Sequence, residues 1–210
     1  MPNASLTGSD ARAWLVDLDG TLYHAGPVKL FMAAELVLGG LRVAPWLRRF
    51  RHEHEELRQS SGSPGAGDPF LWQLERAARG LGIAPEALRP VVEEWMIERP
   101  GKWLRLARRR GFLAELAAFR AAGGRAALVS DYPARAKLEA LGMSPLFEAV
   151  VASGEPGGPP SLKPSPAGYL AAAERLGVPP AECLVIGDRD DADGEAARRA
   201  GMAFRRVAGL

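Results

Sequence analysis

Apolar residues fall into short continuous runs along this chain: AWLVD at 13–17, RAALVS at 125–130, EAVVAS at 148–153, CLVIG at 183–187 and, more weakly, MAFRRV at 202–207. Such runs, mostly ending at Gly, Ser or Asp, predict strands buried on both faces, as in a parallel sheet. Between most of them the spacing turns helical. GFLAELAAFRAAGG at 111–124 and ARAKLEALG at 134–142 each show an apolar stripe closed by glycine. Ser165-Pro166 reads as an N-cap followed by proline at the first helical position, with Gly177 closing that helix. Strand and helix in alternation predict an α/β fold, a parallel sheet with right-handed crossovers.

One interval breaks the alternation. Residues 24–103 contain no convincing strand and several helical patterns, including one that aligns Leu88, Val91, Val92, Trp95 and Met96 on a single face. It predicts a helical domain inserted after the first strand, over 24–103, in a core made of 10–23 and 104–210. Within the insert, SSGSPGAGDP at 60–69 has linker composition.

Composition narrows the classes. The 210 residues are 47% hydrophobic and 25% charged, an ordinary globular balance. A net charge of +2 gives no global case for nucleic-acid binding. Cys183 is the one cysteine, so no disulfide framework can form within a chain, and its apolar run marks it as a buried structural thiol. The start lacks a signal-peptide core, and FMAAELVLGGL at 31–41 is too short to span a bilayer. A cytoplasmic protein without a membrane partner is expected.

Ligands of open α/β sheets bind at the carboxyl ends of the strands. There the sequence places Asp17, Asp19, Gly20 and Thr21 after the first run, Ser130 at the end of the second and Asp188 after the fourth, with Lys163 just before the Ser165 helix start. Strand periodicity would set Asp17 and Asp19 on one side. A carboxylate can attack phosphorus, but it repels a phosphate dianion by about 4 kcal/mol per charge pair at about 4 Å and an effective dielectric near 20. Cations are therefore required. Lys163 supplies one charge, and Mg²⁺, held by carboxylates and a phosphate oxygen, would supply more. Ser130 and neighbouring N–H groups would hold the other phosphate oxygens, and Asp19 could protonate the leaving oxygen and later activate water.

LVDLDGTLY at 15–23 resembles the first motif of the haloacid dehalogenase (HAD) superfamily, and LVSDYP at 128–133 its second. Residues 162–202, LKPSPAGYLAAAERLGVPPAECLVIGDRDDADGEAARRAGM, are similar to its third and fourth motifs run together. The four occur in the family's order and cover about 10–23 and 110–207. The resemblance implies a three-layer, Rossmann-like core with a C1-type helical cap at 24–103. It implies Asp17 as nucleophile, becoming a phosphoaspartate, and Asp19 as general acid, then base, with its carbonyl on Mg²⁺. Gly20, Thr21, Ser130, Asp131 and Lys163 would bind phosphate. Asp17, Asp19 and Asp188 would hold the metal, and Asp193, in the GDxxxxD form of the last motif, would be a direct or outer partner or cap the next helix. Asp190 and Asp191 are expected to be loop residues. Asp19 favours phosphate esters, since dehalogenating and phosphonate-cleaving members lack an acid there.

The implied activity is Mg²⁺-dependent hydrolysis of a small phosphorylated metabolite. A phosphomutase of the β-phosphoglucomutase type would use the same core residues. A phospho-receiver or binding module is a more distant rival, because receivers carry the phosphoacceptor on a middle strand and need no insert.

Two clusters invite other readings. RHEHEEL at 51–57 is helical in pattern, so His52 and His54 point about 200° apart and cannot share an ion; His54, in line with Phe50 and Leu57, is expected to be packed or to face the cap. RLARRR at 105–110 reads as a solvated helix end or as a contact for an anionic substrate group.

Overall fold

The computed structural model describes residues 10–60 and 67–207, so most of the linker-like stretch lies outside the described residues. The strands are β1 (Ala13–Asp17), β2 (Arg125–Ser130), β3 (Ala149–Ala152), β4 (Cys183–Gly187) and β5 (Ala203–Arg206). They form one parallel sheet in the order β3-β2-β1-β4-β5. The central strand alternates as a doubly covered strand must. Trp14 and Val16 enter one apolar cluster and Ala13 and Leu15 the other.

Helices α1 (Ala25–Gly39), α2 (Ala44–Gln59), α3 (Pro69–Leu81), α4 (Pro85–Val92) and α5 (Gly101–Leu104) all fall between β1 and β2. Next come α6 (Arg110–Ala121), α7 (Arg135–Leu141), α8 (Ala167–Leu176) and α9 (Glu195–Ala200). Leu113 and Leu116 of α6 and Leu138 and Leu141 of α7 cover one sheet face. Tyr169 and Leu176 of α8 and Ala196 and Ala197 of α9 cover the other. The result is three layers. The helix starts one residue later than expected, with Pro166 rather than Ser165 as its N-cap, although the Ser165 hydroxyl still accepts the Ala167 N–H at 3.3 Å, and Gly177 closes α8 at φ 61°.

The inserted helices have a core of their own, with Phe50, Phe70, Leu74, Leu88, Val92 and Trp95 at its centre. The regular helical face expected over 88–96 is interrupted. A π-turn at Glu93–Glu98 closes with Arg99 N–H on the Glu94 carbonyl at 2.8 Å. The wider turn advances the phase, so Ile97 is buried and Met96 only partly covered. Asp68 joins the insert to the core. One carboxylate oxygen caps α3 through the Phe70 N–H at 2.7 Å; the other accepts the Gly154 N–H at 2.9 Å. No helix among the described residues is long and apolar enough to cross a membrane.

Candidate active site

The register of the sheet gathers the polar groups. Asp17 lies beside Val129, and Val16 beside Ile186, so β1, β2 and β4 end together and Asp17, Ser130 and Asp188 meet at one edge. Asp17 is buried and held from two sides. The Lys163 ammonium donates to one carboxylate oxygen, and the Thr21 hydroxyl donates to the other at 2.9 Å. Lys163 also donates to Asp193 at 2.8 Å, and the Tyr169 hydroxyl donates to the same Asp193 oxygen at 2.8 Å. Asp193 thus lies inside the site, within a π-turn at Asp190–Gly194, and makes no helix cap.

Asp17, Asp188 and Asp193 each offer a carboxylate oxygen within 4.8 Å of the others. Three acids therefore surround one buried ammonium. The charge imbalance is visible in their proton affinities. Burial, aided by Asp193 and Asp188, pushes the Asp17 carboxyl up to about 8 despite Lys163. Burial and Asp193 also raise Asp188. Lys163, for its part, stays protonated, since Asp17 and Asp193 outweigh the cost of its burial. Such an excess of hard oxygen donors fits a divalent cation of the Mg²⁺ class. Gly20 makes the crowding possible: at φ 94° its backbone passes so close to Asp188 that a Cβ would lie 2.2 Å from a carboxylate oxygen.

Several expected phosphate contacts are otherwise engaged. The Thr21 hydroxyl is committed to Asp17. The Asp131 carboxylate accepts the Lys163 N–H at 3.0 Å, so its side chain fixes the lysine loop, and a phosphate would meet only its backbone N–H. Ser130 is buried, its oxygen accepting the Tyr132 N–H at 3.2 Å, which leaves its proton free to donate. Asp190 and Asp191 are exposed and paired with Arg198 and Arg189, as loop residues would be.

Asp19 is held apart from Asp17, because β1 stops before it. Lys137 Nζ donates to its two oxygens at 2.8 and 2.9 Å, and the Tyr23 hydroxyl donates to one of them. Although burial pushes the other way, Lys137 and Tyr23 hold the Asp19 carboxyl below its usual range. Neither partner was expected from the sequence. A signal existed for Lys137: it lies on the apolar stripe of α7, between Ala134, Leu138 and Leu141, in a chain with only four lysines.

The basic run 105–110 is a solvated helix end only in part: Arg105, just after α5, and Arg110, at the start of α6, are exposed, while Arg108 and Arg109 are half-buried. Arg105 and Arg108 donate to the Ala140 and Leu141 carbonyls at the end of α7, and Arg109 donates to the Gly20 carbonyl at 3.0 Å. His52 is exposed, while His54 is buried and stacked on Tyr132 at 4.4 Å. Cys183 is buried, and that burial raises its thiol to about 11.

Residues 11–201 match the family described as haloacid dehalogenase-like hydrolase. The chain belongs to that family. A glyceraldehyde 3-phosphate phosphatase of Methanopyrus kandleri is 45% identical over 71 residues, 34% of this chain and 29% of that protein. The chain thus matches less than a third of that relative's length. Among solved structures, L-2-haloacid dehalogenase of Xanthobacter autotrophicus is similar at TM-score 0.63 and 24% identity, over 95% of this chain and 78% of that one. A structure described as a putative β-phosphoglucomutase, from Thermotoga maritima, is similar at TM-score 0.56 and 22% identity, over 95% and 87%. At these identities the likeness shows the fold alone.

Proposed function

We propose that the protein is a Mg²⁺-dependent phosphatase that hydrolyses a small phosphate monoester through an aspartyl-phosphate on Asp17. The observation that carries this reading is the buried Asp17 carboxylate at the end of the central strand, touching Lys163, with Asp188 and Asp193 beside it. The named activity of the Methanopyrus relative agrees with it.

Asp17, Asp188 and Asp193, with the Asp19 carbonyl, would hold the metal, which when bound offsets the negative charge shared by carboxylates and phosphate. Asp17 attacks phosphorus, the bond to the leaving oxygen breaks, and Asp19 gives that oxygen a proton. A nearby phosphate dianion raises the proton affinity of Asp19, opposing Lys137 and preparing it for this step. With the leaving group gone, Lys137 and Tyr23 favour the carboxylate form, which takes a proton from water as water attacks the phosphoaspartate. Phosphate leaves, and Asp17 is restored. Lys163 and the Ser130 hydroxyl steady the phosphoryl oxygens in both steps.

Asp17→Asn tests this. The variant should lose Mg²⁺-dependent phosphate release from an aryl phosphate. Surviving activity shows that Asp17 is not the nucleophile, and activity that appears only with a sugar bisphosphate, without phosphate release, indicates a mutase.

A further inference from the structure

One face of α2 carries Phe50, His54 and Arg58 against the loops that form the site. Phe50 and His54 pack their rings on Tyr132, at 6.2 and 4.4 Å, two residues after Ser130. One turn further on, Arg58 Nε donates to the Lys163 carbonyl at 3.2 Å. The Arg58 side chain is only 9% exposed, yet its nearest acid is Glu55, at 3.6 Å and half exposed. Neither of its Nη nitrogens hydrogen-bonds to any described residue. The contrast with Glu53 on the same helix is sharp: that buried carboxylate is met by both Arg49 and Arg76. The acids near Arg58 are engaged elsewhere, Asp131 with the Lys163 N–H at 3.0 Å and Asp191 with Arg189. His54 Nδ1, beside it, is buried without a hydrogen-bond partner.

We propose that Arg58, with His54, receives a carboxylate on the leaving group of the substrate, so that the preferred substrates are phosphate esters of short hydroxy acids. This deepens the phosphatase reading and rests on it. A mostly buried guanidinium whose Nη nitrogens hydrogen-bond to no described residue is matched by a planar acceptor, and a single guanidinium balances a monoanion. The distance is set by one residue: Lys163 touches the nucleophile with its ammonium and Arg58 with its carbonyl. The anion site therefore lies within a lysine's length of the phosphoryl site, which suits a leaving group of two or three carbons.

The test compares 3-phosphoglycerate with glycerol 3-phosphate, which share a skeleton and differ in a carboxylate against a hydroxymethyl group, with an aryl phosphate as reference. The wild-type enzyme should favour the acid in kcat/KM by about ten-fold or more, chiefly through KM. Arg58→Met should reduce that preference to about three-fold or less, and Arg58→Lys should retain part of it. A wild-type ratio near one, with the aryl phosphate still hydrolysed, overturns the proposal, and that measurement needs no variant to fold. Arg58→Met and Arg58→Gln proteins that keep the full preference overturn it as well. Failure to hydrolyse any of the three esters overturns the phosphatase reading, and this inference with it.

Discussion

Stripped of divalent metal, the site holds Asp17, Asp188 and Asp193 against one buried ammonium, and this imbalance should be measurable as a pH-dependent loss of stability. Burial pushes the Asp17 carboxyl up to about 8 in the folded protein, against 3.8 for an ordinary carboxyl. Because the folded value is the higher one, the folded state keeps a proton that the unfolded chain has already released. The contribution of the protonated acid is full below about pH 4 and is lost as pH rises towards 8. The slope in that window is about 1.4 kcal/mol per pH unit, so the loss from pH 4 to pH 7 is on the order of 4 kcal/mol. Asp17→Asn keeps the shape and removes the titration. Urea unfolding in chelator at pH 5, 6, 7 and 8 should show the wild-type protein losing stability relative to the variant at each step. Adding Mg²⁺ should restore more stability at pH 8 than at pH 5, since a bound cation replaces the proton. Parallel pH profiles for the two proteins would refute the reasoning, because Asp17 would then ionise as freely folded as unfolded.

Two further substitutions separate roles within the site. Asp188→Ala should raise the Mg²⁺ concentration needed for half-maximal activity by about a hundred-fold, whereas Asp190→Ala, which loses only an exposed pair with Arg198, should change it by less than about two-fold; equal effects would mean that the metal ligands are wrongly assigned. Lys137→Met should remove two of the three hydrogen bonds that position Asp19 and, although its carboxyl then gains proton affinity, leave that acid misplaced for the leaving oxygen, slowing an alkyl phosphate by about a hundred-fold with a much smaller loss for a nitrophenyl ester. Equal losses for both esters would assign Lys137 a purely structural role.

The sequence by itself determined the sheet and the identity of the residues at its edge. Every strand read from an apolar run is present, and Asp17, Ser130 and Asp188 stand where strand ends were expected. These features are legible because burial on both faces and turn chemistry leave their pattern within a few adjacent residues. What the tertiary structure alone decided is how the charges pair. Lys137 meets Asp19 across 118 residues of chain, and Arg58 meets Lys163 across 105. The apolar stripe around Lys137 marks it as buried, but nothing local names the partner of either cation, since partners are chosen by how one helix docks on another element. Thr21 and Asp131 make the same point in reverse. Their positions were legible, but only packing revealed that the hydroxyl serves Asp17 and the carboxylate serves the lysine loop. The π-turn at Glu93–Glu98 likewise shifted the buried face to Ile97, because the sequence period assumes a helical turn of constant width.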